Sequence, residues 1–80
     1  VHVPTIKQLC TSHSIDELRA AEAALLEEQP LPIAVAGADE GEQLTHLTGA
    51  IWVLDRMKHG GADLNTALRE FTHRVRNSIS

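Results

Sequence analysis

Cys10 is the only cysteine among 80 residues, and this removes one of the usual supports of a domain so small. No disulfide can close within the chain. A chain of this length buries roughly 60% of the surface that its unfolded form exposes. Domains of this size often add a disulfide, a metal or a partner subunit. With the disulfide gone, the fold must rest on one small core, on a metal site, or on a second copy. The lone cysteine also argues for a reducing compartment. No signal-peptide pattern opens the chain, because Pro4, Lys7 and Gln8 break the first apolar residues. No apolar run approaches the roughly 20 residues that span a bilayer. The expectation is a soluble, cytoplasmic protein of one domain over residues 1–80.

Prolines, glycines and capping residues divide the chain into four helical stretches. Pro4 and Thr5 can start a short helix, with Ile6, Leu9, Cys10 and His13 at helical spacing. Ser14 and Glu17 form a capping box, in which each side chain takes a free backbone N–H of the other residue. The stripe Leu18, Ala21, Ala24 and Leu25 follows, and Pro30 and Pro32 end it. A third helix begins at the acids Asp39, Glu40 and Glu42 and runs to about His59, where Gly60 and Gly61 stop it. Leu44, Leu47, Ala50, Ile51, Val53, Leu54 and Met57 cover about half its circumference at 100° per residue. So broad an arc belongs to a central helix. Asp63 caps a fourth helix with the stripe Leu64, Ala67, Leu68, Phe71, Val75 and Ile79. Between the second and third helices, Ile33 and Val35 alternate with alanines. A lone strand leaves its backbone groups unsatisfied, so this segment is an extended loop or pairs with its counterpart in a second copy. The predicted fold is mainly α: a small bundle of about four helices with a short extended or β segment near residues 31–37.

The net charge is -4, and it is unevenly spread. Residues 1–42 carry two Lys or Arg against eight Asp or Glu, while residues 43–80 carry five against three. The basic half lacks the dense stripe of cations that a nucleic acid requires. An acidic half and a basic half attract each other within a chain or across a dimer. Glu27 and Glu28 sit at the negative end of the second helix, where each costs a few tenths of a kcal/mol. That placement suits a basic partner.

Cys10 and His13, one turn apart, offer two metal ligands, and Glu42 and His46 offer two more on the third helix. The opposing reading makes Cys10 a buried apolar residue and packs His13 on Leu18. Cys10 as a reactive thiol needs a lowered pKa, which burial opposes. The turn Asp39, Glu40, Gly41, Glu42 lacks the alternate ligands of a calcium loop and reads as helix capping. Arg69, His73 and Arg76 share a face of the last helix, fit for an acidic surface or simply solvated. Trp52 falls outside the apolar arc, among Thr45, Thr48, Arg56 and His59. Either the 31–38 segment covers it or a partner does.

The runs LLEEQPLPIAVAG, DEGEQLTHLTGAIWVLDRM and ALREFTHRVRNSIS resemble a small bacterial family of uncharacterised proteins of about this length. The resemblance implies a complete stand-alone protein and transfers no catalytic residue.

The chain offers no Ser/His/Asp set, no Gly-rich phosphate loop and no carboxylate pair in a cleft. The expected function is therefore a non-enzymatic interaction module without a cofactor, most simply a homodimer, with an unidentified protein partner as another option and neither nucleic acid nor membrane as a ligand. Its contacts would come from Trp52, Ile33, Val35, Arg69, His73 and Arg76. The alternative is a metal-binding or thiol-redox accessory protein using Cys10, His13, Glu42 and His46.

Overall fold

The computed structural model describes residues 2–79, residues 77–79 by their backbone alone. Three of its four helices start behind a capping side chain, and the first starts with no side-chain cap. Helix α1 spans Val3–Ser12, with Pro4 in its first turn, where a missing N–H costs nothing. Helix α2 spans Ile15–Leu26 behind the complete Ser14–Glu17 capping box. Glu17 N–H donates to Ser14 Oγ at 3.2 Å, and Ser14 N–H donates to Glu17 Oε1 at 3.0 Å. The bond from Ser14, with His13 beside it, holds the Glu17 carboxyl below the usual carboxylate range. Helix α3 spans Glu40–Gly60, and Asp39 accepts from Glu42 N–H at 2.8 Å. Gly61 ends it at φ 69, a conformation that favours glycine. Helix α4 spans Leu64–Ile79, and Asp63 accepts from Thr66 N–H at 2.7 Å.

Helix α3 packs against each of the other three helices, which is the role its broad apolar arc implies. Its buried residues are His46, Leu47, Gly49, Ala50 and Val53. The outer part of the arc, Ile51, Leu54 and Met57, is half-buried against the core. The core is completed by Ile6, Leu9 and Cys10 of α1, Leu18 and Ala21 of α2, and Ala67 and Leu68 of α4.

Among the described residues there is no strand, so the 31–37 segment is a loop rather than a β element. Its burial nonetheless alternates: Leu31, Ile33, Val35 and Gly37 turn inward, while Pro32, Ala34 and Ala36 are exposed. Two of its carbonyls are met by side chains of α3. Gln43 Nε2 donates to Val35 O at 3.3 Å, and His46 Nδ1 lies 2.8 Å from Ala36 O. Helix side chains thus do part of what a neighbouring strand does for a sheet edge.

Helix α2 ends in a Schellman turn. Glu28 N–H donates to Leu25 O at 3.2 Å, and Gln29 N–H donates to Ala24 O at 2.8 Å. Glu28 occupies the left-handed position of that turn at φ 58, where glycine is usual. A side chain there costs about 1–2 kcal/mol, partly offset by the lower entropy of the unfolded chain. Glu28→Gly should therefore stabilise the fold by about 1 kcal/mol, read as a higher urea midpoint at unchanged slope. A midpoint that stays put or falls contradicts the strained turn.

Candidate functional site

The site is built on α3 and α4 around Trp52. Its indole is half-buried and packs against Phe71, with ring centroids 5.9 Å apart and planes tilted by 44°. The guanidinium of Arg74 lies over the indole, 5.6 Å from the ring centroid, within range of a cation–π attraction. Arg56, one helical turn beyond Trp52, reaches across to Glu70. Its Nε lies 3.2 and 3.3 Å from the two carboxylate oxygens, and its Nη2 lies 3.1 Å from one of them. That two-pronged ion pair fixes the walls of an open groove of about 390 Å³, lined by Trp52, Arg56, Glu70, His73 and Arg74. The cover over Trp52 therefore comes from α4, and the 31–38 segment does not provide it. Instead, Ala34, Val35 and Ala36 line a separate depression with Thr5, Leu9 and His13 of the α1 side.

The residues named from sequence fall into different places. Trp52 and His73 share the groove, while Arg69 and Arg76 are exposed elsewhere along α4. Ile33 is half-buried against the core, and Val35 lies within it. Val35 keeps 9% of its surface exposed, in the depression it lines. Sequence reasoning missed Arg74 and the Arg56–Glu70 pair. The i,i+4 spacing of Glu70 and Arg74 marks a charged face, but only the packing of α4 on α3 brings it to Trp52.

The alternative ligand set does not assemble. Among the described residues, no group of three or more His, Cys, Asp or Glu is placed to hold a metal ion. His46 is buried, with Nδ1 on Ala36 O and Nε2 accepting from His2 N–H at 3.2 Å. Both of its ring nitrogens are thus used in tying the start of α1 and the loop to α3. His13 instead faces Glu17 at 3.5 Å, and Glu42 is exposed in the first turn of α3.

Cys10 is a core residue whose Sγ–H donates to Ala50 O at 3.6 Å. Burial pushes the thiol up from its ordinary 9.0 to about 11. Only the thiolate is nucleophilic, so folding suppresses reactivity. At pH 8 an aromatic disulfide reagent should modify the native chain at least roughly 100-fold more slowly than the urea-unfolded chain. Equal rates would show that the thiol is open. Because the folded value is the higher one, the contribution of the neutral thiol to stability is whole below pH 9.0 and is lost as the pH rises toward about 11.

These features define a small four-helix protein with a charged, aromatic-floored groove between two of its helices. The chain belongs to a family of unknown function (DUF6952), whose model matches residues 1–80. No curated protein and no solved structure gives a significant match. Among the described residues, no helix is long and apolar enough to cross a membrane.

Proposed function

We propose that this chain is a non-enzymatic protein-interaction module that works as a homodimer through the α3–α4 groove. The observation that carries the reading is the half-buried state of Trp52. Phe71 and Arg74 cover only part of the indole, leaving part of a rigid apolar ring open beside the Arg56–Glu70 pair. Tryptophan and arginine side by side are the composition of an interface hot spot. Partial cover by the chain itself keeps the monomer folded while leaving indole area to bury. A cytoplasmic location agrees with the reading, since Cys10 is a buried free thiol.

Sedimentation velocity from low to high micromolar concentration, followed in parallel by tryptophan emission, tests it. The expected result is a reversible dimer whose emission moves to the blue as the dimer forms. A monomer at every concentration, with an unchanging spectrum, would end the proposal.

A further inference from the structure

A groove with an indole floor, walled by Arg56, His73 and Arg74 and by the single carboxylate Glu70 that pairs with Arg56, accepts an apolar knob ringed by carboxylates, and the same chain carries such a knob. It lies where α2 ends and α3 begins. Leu26, the last residue of α2, is 65% exposed and is the large hydrophobic side chain left most open among the described residues. Leu25 and Leu44 are half-buried beside it, and Glu28 and Glu40 line the shallow depression they share. Glu27 and Glu28 follow Leu26 directly.

Three features of this corner run against local stability. An exposed leucine gains nothing from the core. Carboxylates at the end of α2 oppose the helix dipole. Glu28 sits in a left-handed position that favours glycine. Among the described residues, Glu27, Glu28 and Glu40 form no ion pair that would offset the carboxylates. An interface that covers Leu26 and pairs the carboxylates compensates the first two.

We infer that the Leu26 corner of one copy seats in the Trp52 groove of a second copy. Leu26 lies against the indole, and Glu27 and Glu28 turn toward Arg56, His73 and Arg74. The inference rests on the homodimer reading above and names the surface that fills the groove. Each copy carries one knob and one groove, so two reciprocal contacts about a twofold axis close the pair. The opposed charges speed encounter and make association weaken as salt rises.

Three samples test this by sedimentation: Leu26→Asp, Trp52→Ala, and their equimolar mixture, each checked for helix content by circular dichroism. Leu26 is exposed, so its substitution leaves the fold intact. If Trp52→Ala does not fold, Arg74→Glu takes its place. Each variant alone should associate at least roughly 30-fold more weakly than the parent chain. The mixture should associate more tightly than either, because one intact knob then meets one intact groove. If Leu26→Asp dimerises like the parent while Trp52→Ala does not, the knob is wrong and the groove reading stands. If the parent chain is a monomer, or neither variant weakens it, both fall.

Discussion

Replacing His46 by alanine is expected to cost roughly 3–5 kcal/mol, the largest loss from any single polar residue among those described. The ring is 1% exposed, and the side chain is among the largest that are fully buried. Its removal leaves a cavity where α1, α3 and the 31–37 segment meet. It also leaves Ala36 O without its donor and His2 N–H without its acceptor. A chain of this size has a total stability of roughly 4–12 kcal/mol, so the variant should lose at least roughly 12 °C of melting temperature. The partners also dictate the tautomer. A carbonyl only accepts and an amide N–H only donates, so Nδ1 carries the hydrogen and Nε2 is the bare acceptor. Nitrogen chemical shifts of the imidazole should report that tautomer. A hydrogen on Nε2, or a melting temperature that His46→Ala leaves unchanged, would remove His46 as the tie between these three elements.

The second large effect is expected at Gly49. It is buried on α3, where a Cβ would stand 2.7 and 2.9 Å from Phe71 ring carbons and 3.0 Å from Ile6 Cδ1. The absence of a side chain is what lets α4 and α1 approach α3 at the same level. Gly49→Val adds three carbons to that filled space. Overpacking of this kind costs about 1–3 kcal/mol, sometimes more, while the better helix propensity of valine returns only about 0.5 kcal/mol. The net expectation is a loss of about 2 kcal/mol, measured as a lower urea midpoint. Phe71→Ala opens the space, so Gly49→Val should cost clearly less in that background. Equal costs in the two backgrounds would show that the contact with Phe71 does not matter. Because Phe71 also supports Trp52, displacing its ring should shift the tryptophan emission as well.

The helices themselves were legible in the sequence, and for a local reason. Ser14, Asp39 and Asp63 accept hydrogen bonds from backbone groups three residues on, and Gly61 supplies a dihedral that other residues resist. Each signal is settled within one turn of chain. Periodicity then gave α3 its central place, because half a circumference of apolar side chains needs several neighbours to cover it. The site was legible only in part. Trp52 stood out as an aromatic residue on a polar face, yet nothing local indicated that α4 rather than the 31–38 segment would lie beside it.

His46 shows the limit most clearly. Beside Glu42, one turn away, it has the spacing of a ligand pair, and histidine chemistry permits either a metal or two hydrogen bonds. The choice was made by Ala36 and His2, which lie 10 and 44 residues away. The same holds for Arg56 and Glu70, 14 residues apart, and for Gly49, whose neighbours Ile6 and Phe71 come from opposite ends of the chain. Where helices start and stop, and which faces they bury, follows from dihedral preferences and 3.6-residue periodicity within each stretch of chain. Which polar side chains meet follows from the packing of the helices on one another. Such meetings depend on how the helices cross, which no single helix encodes.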